Sequence, residues 1–154
     1  MSNALFMLSE YISSHNRNRI PSDIQAMSAL SNSNNRPILA LAFTTHRDVI
    51  TDIGYTVLSA PSSICPKDLE ACVCAVCDLA SNHPVMAAEL ISPDHVLKTL
   101  GFDSSAEDTL FYAATMAVLL LKDALSSYAN YKKADLKQWE QNNKGESVYA
   151  KYMD

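Results

Sequence analysis

The chain has 154 residues, of which 48% are hydrophobic and 19% are charged. This balance is typical of one folded domain with a hydrophobic core. The formal net charge is −5 and the pI is about 5.2, which argues against nucleic acid as a partner, since nucleic-acid-binding proteins normally present a basic surface.

The sequence also bears on where the protein is found. The N-terminal segment lacks the basic start and long apolar run of an export signal. The most apolar stretch, residues 110–121, is shorter than the roughly 20 residues that span a bilayer. We therefore predict a cytoplasmic protein with reduced cysteines and no membrane partner.

The first third of the chain predicts one helix and a hairpin. Apolar residues at helical spacing predict a helix over residues 3–14. The following stretch is rich in Asn, Ser and Pro and predicts a loop, with a helical turn at residues 23–30. Residues 38–43 and 49–58 predict two strands, because apolar, β-branched and aromatic side chains recur along them. The short polar link between them predicts a hairpin turn.

From residue 61 onward the pattern is helical. Pro66 suits the first turn of a helix that ends near residue 81, and two short helices follow, the second stopped by Gly101. Residues 106–128 predict the longest helix, which we expect to be the most buried element because its apolar residues exceed one face. Separate runs of strands and helices predict an α+β fold, with a small antiparallel sheet packed against several helices. We expect residues 1–130 to form the domain and residues 131–154 to be its polar helical extension.

All four cysteines lie between residues 65 and 77, a density that suggests a metal or redox site. On a helix, Cys65 and Cys72 fall within the apolar stripe and Cys77 falls at its border. Cys74 falls on the opposite side, between two carboxylates. One helix cannot bring four such sulfurs to a single metal ion. The main prediction is that Cys65 and Cys72 are buried, inert thiols and that Cys74 is exposed.

Two alternatives for these cysteines remain open at this point. The C-x-x-C spacing of Cys74 and Cys77, with His83 and His95 nearby in sequence, permits a zinc or iron site. Cys74 could also be a redox or sulfur-carrying thiol, although neighbouring carboxylates would raise its pKa and reduce its reactivity. An enzyme is not expected, because the chain has no nucleophile elbow, phosphate loop or carboxylate pair at catalytic spacing.

Four stretches of the chain together carry a family resemblance: EYISSHNRNRIPS, DVITDIGYTVLSA, KDLEACVCAVCDLA and EDTLFYAATMAVLLLKDALSSY. They resemble the iron–sulfur cluster assembly scaffold family, IscU and the N-terminal domain of NifU. In order, they are similar to its opening helix and the turn after it, the strand before its Gly-Cys-Gly loop, the next helix, and the closing helix. The closing helix ends with a matching pattern at Leu121, Lys122, Ala124, Leu125 and Tyr128. The resemblance covers about residues 10–130 and implies an IscU/SufE-like fold.

The resemblance also shows where the ligands of the family would fall. The first ligand cysteine and the nearby aspartate fall at Asn34 and Arg36, and the second cysteine falls at Ala60. The ligand histidine and third cysteine of the closing helix fall at Tyr112 and Ala113. None of these five family-equivalent positions carries the family's ligand. The resemblance implies that Ala60 and Ala113 lie close together, with Asn34 or Arg36 near them, around a pocket that holds no metal.

Three hypotheses follow, in this order. The first is a divergent scaffold-like protein that needs no cofactor and acts as a non-catalytic binding or accessory protein, with iron–sulfur assembly proteins such as a cysteine desulfurase as partners. The second is a protein with a relocated site at Cys72, Cys74 and Cys77 for an iron–sulfur cluster, iron or zinc. The third is a SufE-like sulfur-transfer protein. The sequence does not indicate an oligomeric state.

Overall fold

The structure is a computed structural model that describes residues 2–31, 34–58, 66–102 and 108–142. The three described strands form one antiparallel sheet in the order β1-β2-β3, and helices pack against it, which confirms the predicted α+β fold. The elements in chain order are α1 (Ser2–His15), β1 (Ala26–Ser31), β2 (Pro37–His46), β3 (Val49–Val57), α2 (Lys67–Ala80), α3 (Val85–Ala88), α4 (Pro93–Thr99) and α5 (Asp108–Asn142).

The predicted hairpin is present as β2 and β3. His46 pairs with Val49, so the loop consists of Arg47 and Asp48 alone. Their φ angles of 53° and 61° are both positive, as in a type I′ turn, whose twist matches that of the two strands. A short polar link therefore did indicate the turn, although neither loop residue is glycine.

The helical turn predicted at residues 23–30 is wrong, because this part of the chain forms the strand β1. β1 pairs antiparallel with β2, with alternate residues turned inward. Ser28 lies on the inner side, where its hydroxyl donates to the Leu120 carbonyl of α5 at 2.6 Å. Met27 lies on the outer side and is 48% exposed. Since a serine faces in and a methionine faces out, the sequence shows no strand-like alternation of hydrophobicity.

Other parts of the chain cover both outer edges of the sheet. At β1, the Met27 amide donates to Ser127 Oγ of α5 at 3.5 Å. At β3, the Tyr55 amide donates to the Arg17 carbonyl at 3.0 Å, and the Ile50 amide donates to the His83 carbonyl at 2.9 Å. Covered edges protect a sheet from pairing with other chains. The coverage also positions residues 16–19 directly against α2 and β3.

The most buried helix is α2, which corrects the prediction that the closing helix would be. Ten of the 14 residues of α2 are buried, against ten of the 35 residues of α5. α2 lies between α1, α4, α5 and β3, so it is covered on its polar side as well as its apolar side. The closing helix begins close to the predicted position but continues to residue 142, and its exposed final turns lower its average burial.

α5 is also long and apolar enough to cross a membrane if length and composition alone are considered. Half of its most apolar 18-residue window is buried inside the protein. That packing is the one expected of a core helix, and a core helix passes the same test of length and composition.

Candidate functional site

The turn between β1 and β2 and the end of β3 lie at the same end of the sheet. β1 and β2 pair antiparallel as far as Ser31 and Pro37, so residues 34–36 lie at that end. The Leu58 amide donates to the Ile38 carbonyl at 3.0 Å, which places the end of β3 beside the start of β2. That the first turns of α5 approach the same end stays a prediction.

The individual positions differ in exposure. Asn34 and Arg36 are exposed in the turn between β1 and β2. On α5, Tyr112 is 67% exposed and Ala113 is 7% exposed. Ala60 lies outside the described residues, so its expected approach to Ala113 stays a prediction.

The chemistry of the four described positions does not suit a metal cluster. They present an amide, a guanidinium, a phenol and a methyl group, where the family resemblance places thiolate, carboxylate and imidazole ligands. A guanidinium is a permanent cation with no lone pair to donate, so Arg36 would repel a metal ion. The methyl group of Ala113 likewise offers no donor atom. These four side chains thus differ from the ligand set that the resemblance places at their positions.

The cysteine prediction is confirmed at Cys72 and wrong at Cys74. Cys72, Cys74 and Cys77 are all buried with no exposed surface, and Cys65 lies outside the described residues. Cys74 was expected in solvent because it lies between Glu70 and Asp78 on the polar side of the helix. That side of α2 is covered by α1 and by residues 16–19.

The carboxylates that made this side of α2 look solvent-facing are in fact paired inside the protein. Glu70 is 6% exposed, and it accepts a hydrogen bond of 2.7 Å from the buried Tyr55 hydroxyl. Asp78 is paired with groups from α1 and the segment after it. Buried carboxylates are stable only when such partners are present, and periodicity along one helix cannot reveal partners from elsewhere in the chain.

Asp78 is the centre of a cluster that sequence reasoning missed. Its carboxylate accepts a hydrogen bond of 2.5 Å from the Tyr11 hydroxyl and one of 2.7 Å from Arg17 Nε. His15 Nδ1 lies 2.5 Å from the same carboxylate, and the His15 ring stacks on Tyr11 with centroids 3.9 Å apart. The signal in the sequence is the four-residue spacing of Tyr11 and His15, which places both rings on one face of α1.

The surroundings of the three described thiols make them unreactive in the folded protein. Burial raises the pKa of Cys72 to about 12. Burial, with a further contribution from the Asp78 charge, raises the pKa of Cys74 to about 12. Burial also raises the pKa of Cys77 well above its usual value. Because the thiolate is the nucleophile, thiols that stay protonated at neutral pH react slowly.

The histidines considered for a metal site with Cys77 have other roles. His95 belongs to the capping box of α4, where its Nδ1 accepts a hydrogen bond of 3.1 Å from the Ser92 amide. The His83 ring lies 2.9 Å from the Ser81 carbonyl and is exposed. Within residues 2–31, 34–58, 66–102 and 108–142, no group of three or more His, Cys, Asp or Glu side chains is arranged to hold a metal ion. In the described part of the chain, Cys72, Cys74 and Cys77 are therefore not arranged as such a group.

A second polar cluster joins α5 to the hairpin loop. The Tyr128 hydroxyl donates to the Asp48 carboxylate, and it accepts a hydrogen bond of 3.1 Å from Thr45 Oγ1. Lys132, one turn further along α5, lies 3.6 Å from the same carboxylate. The ring of Tyr128 also contacts Phe43, with centroids 5.7 Å apart. This cluster fixes the closing helix on the sheet and has the character of a structural contact.

Comparison with solved structures bears on the fold. The chain is similar to the N-terminal part of a nitrogen-fixing NifU-like protein from Brucella abortus, with a TM-score of 0.50 and 13% sequence identity, over 86% of this chain and 96% of that one. The fold is IscU/NifU-like. At this identity the similarity establishes the fold alone.

A second solved structure has a comparable similarity score. It is a protein from the thermophile Fervidobacterium islandicum AW-1, assigned as an iron–sulfur cluster assembly scaffold protein for the SUF system. The TM-score is 0.49 and the identity is 11%, over 78% of this chain and 91% of that one. No model of a known protein family matches the chain, and no curated protein sequence matches it either.

Proposed function

We propose that this chain is a non-catalytic binding or accessory protein built on the IscU/NifU-like fold, and that it does not itself carry an iron–sulfur cluster. The observation behind this proposal is the chemistry of the family-equivalent positions. Arg36, Tyr112 and Ala113 occupy positions where the family resemblance places an aspartate, a histidine and a cysteine. Because a fold does not by itself imply a function, these replaced side chains, and not the fold, carry the proposal.

The burial of the described thiols supports the same proposal over its alternatives. A sulfur-transfer protein needs a thiolate that its donor can reach. Cys72, Cys74 and Cys77 are buried without exposed surface, so in the folded state a sulfur donor cannot reach them. We further propose a cytoplasmic location, with protein partners from iron–sulfur assembly such as a cysteine desulfurase, and no nucleic acid or membrane partner. In this proposal residues 131–154 extend the domain formed by residues 1–130.

Anaerobic cluster reconstitution with ferrous iron and sulfide tests the missing ligands. The matched variant restores the family's ligand set through five substitutions: Asn34→Cys, Arg36→Asp, Ala60→Cys, Tyr112→His and Ala113→Cys. We expect the wild-type chain to remain free of iron and acid-labile sulfide after desalting. We expect the restored variant to gain both, with a visible absorption band. A wild-type chain that retains stoichiometric iron and sulfide would overturn the proposal.

A separate binding experiment tests the partner. Titration calorimetry of the wild-type chain against a purified cysteine desulfurase should give saturable binding without any metal present. If the wild-type chain does not bind, a cysteine desulfurase is not its partner. The reconstitution experiment tests separately whether the protein carries a cluster.

A further inference from the structure

α1 and residues 16–19 together cover one side of α2, and two thiols lie beneath them. Cys74 lies one helical turn before Asp78 on this side of α2, Cys77 directly precedes Asp78, and both thiols are buried without exposed surface. Tyr11 and Arg17 both contact the Asp78 carboxylate, so they lie over the part of α2 that carries these thiols. Cys72 points away from this cover, since it lies roughly 200° around the helix from Cys74.

Asp78 is the main polar anchor of the cover on α2. Among the described elements, α1 packs chiefly against α2, with Leu8 buried and with Tyr11 and Ile12 partly buried against the core. Tyr11, His15 and Arg17 all contact the carboxylate of Asp78. Arg17 is also held on β3, where its carbonyl accepts from the Tyr55 amide at 3.0 Å and its side chain donates to the Ile53 carbonyl at 3.5 Å.

A second ion pair supports the cover at its outer end. Arg19 binds the Asp52 carboxylate of β3 with both terminal nitrogens, at 2.9 Å and 3.1 Å. The two side chains are 50% and 32% exposed, so solvent screens this pair and it contributes little. Asp78, whose side chain is 17% exposed, is therefore the main fastening of the cover to α2.

We propose that α1 and residues 16–19 form a detachable N-terminal cover, which opens as a unit when its contacts with Asp78 break and then presents Cys74 and Cys77 to solvent as a pair of thiols. The rest of the domain stays folded in the open state, because α2 keeps its packing against α4, α5 and β3. Segments with few buried apolar contacts open at lower free energy than the whole protein unfolds. This conformational device does not depend on the proposed function.

Thiol alkylation of the native wild-type chain in increasing urea tests the opening directly. The protein is treated with iodoacetamide, and mass spectrometry follows each cysteine separately. Local opening exposes little surface, so the labelling rates of Cys74 and Cys77 should change little at low urea concentrations. The labelling rate of Cys72 should rise steeply with urea, because Cys72 becomes accessible only on global unfolding. Equal urea dependence for all three cysteines would overturn the proposal.

A substitution at the fastening point provides the second test. Asp78→Asn keeps the size of the side chain and removes the charge that holds His15 and Arg17. Labelling of Cys74 and Cys77 in water should accelerate at least about tenfold, the factor that corresponds to losing roughly 1.4 kcal/mol of charge-assisted hydrogen bonding. Labelling of Cys72 should accelerate by a similar factor, because the Asp78 contacts are lost in the open state and in the unfolded state alike, but its steep urea dependence should remain while that of Cys74 and Cys77 stays shallow.

The matched control is Asp123→Asn, which neutralises an exposed aspartate on α5 and should leave all three rates unchanged. If labelling of Cys74 and Cys77 in the Asp78→Asn variant depends on urea as steeply as labelling of Cys72, the thiols become accessible only on global unfolding and no separate cover exists. If the substitution accelerates labelling of none of the three thiols, Asp78 does not fasten the cover. Should Asp78→Asn fail to fold, the urea series on the wild-type chain alone decides between local and global opening.

Discussion

Residues 16–19 pass so close to β3 that even one additional side-chain atom on the strand would not fit beneath them. Gly54 lies in the middle of β3, and a Cβ atom built there would lie 1.9 Å from the Arg19 carbonyl oxygen. Real Cβ atoms do not approach a carbonyl oxygen so closely, and the clashing atom belongs to the backbone, which cannot rotate away. Glycine at this position is therefore what allows residues 16–19 to lie against the sheet.

The Gly54→Ala substitution should lower the free energy of unfolding by about 2–3 kcal/mol, because either the crossing segment or β3 must move. Urea unfolding followed by circular dichroism measures the change. Gly101→Ala is the comparison: its φ of 91° is unfavourable for alanine, but the closest atom is a Met7 side-chain carbon at 3.7 Å. The Gly101→Ala substitution should lower the free energy of unfolding by about 1 kcal/mol, through backbone strain alone. Equal losses would show that no steric contact operates at Gly54.

Because its thiols are buried, the protein should lose stability as the pH rises into the alkaline range. The pKa of Cys72 is about 12 in the folded protein and about 9 when unperturbed. Between these two pH values, the Cys72 thiol therefore keeps its proton in the folded state and loses it in the unfolded state. The stability from this group is fully present below pH 9 and is lost as the pH rises toward 12.

The Cys72→Ala substitution isolates that contribution. Between pH 9 and pH 11 under reducing conditions, the wild-type chain should lose up to about 1.4 kcal/mol per pH unit more than the variant, the amount linked to one proton. Ionisation of the tyrosines changes the stability of the wild-type chain and of the variant equally, so it cancels when the two are compared. Parallel stability curves for the two proteins would mean that the Cys72 thiol ionises as easily in the folded state as in the unfolded one.

At the scale of elements, the closing helix and the hairpin are joined through Tyr128 and Asp48. Tyr128→Phe should cost about 1–2 kcal/mol of unfolding free energy, because it removes the hydroxyl that donates to Asp48 and accepts from Thr45. Asp48→Asn retains a residue that tolerates positive φ. The double substitution should cost less than the sum of the single ones by about 1 kcal/mol, which a double-mutant cycle measures. Tyr131→Phe, at an exposed neighbouring position, should change stability by less than about 0.5 kcal/mol.

The elements that could be predicted from the sequence are those whose own residues specify them. The hairpin strands are rich in apolar, β-branched and aromatic residues, and the helices show apolar spacing or capping residues. β1 could not be predicted, because Ala26–Ser31 has weak strand propensity and becomes a strand by pairing with β2. Its inward Ser28 is explained only by the carbonyl of Leu120, which lies 92 residues away in sequence.

At the scale of the whole molecule, the arrangement around α2 explains which parts of the site were predictable. The helical wheel correctly placed Cys72 in the core, since the apolar stripe of α2 is a property of its own sequence. It misplaced Cys74, because charged residues on the same side indicate solvent only when nothing pairs with them. Tyr11, His15 and Arg17 provide that pairing from the other end of the domain, and no local pattern records it.

The same reasoning applies to the family-equivalent positions. Counting along the resemblance assigns Arg36 to the turn after β1 and Tyr112 and Ala113 to the first turns of α5, and their meeting at one site stays a prediction. Their side chains explain why the proposed activity is binding and not cluster assembly. The approach of Ala60 to this site remains a prediction, since it lies outside the described residues.

The most direct test of this account is the metal content of the wild-type chain purified without exposure to oxygen from iron-supplied cells. Iron, zinc and acid-labile sulfide should each be far below one per chain, and the visible spectrum should show no cluster absorption. Stoichiometric iron with sulfide, or stoichiometric zinc, would contradict the account, because the protein would then hold a metal through ligands that the account says it does not have.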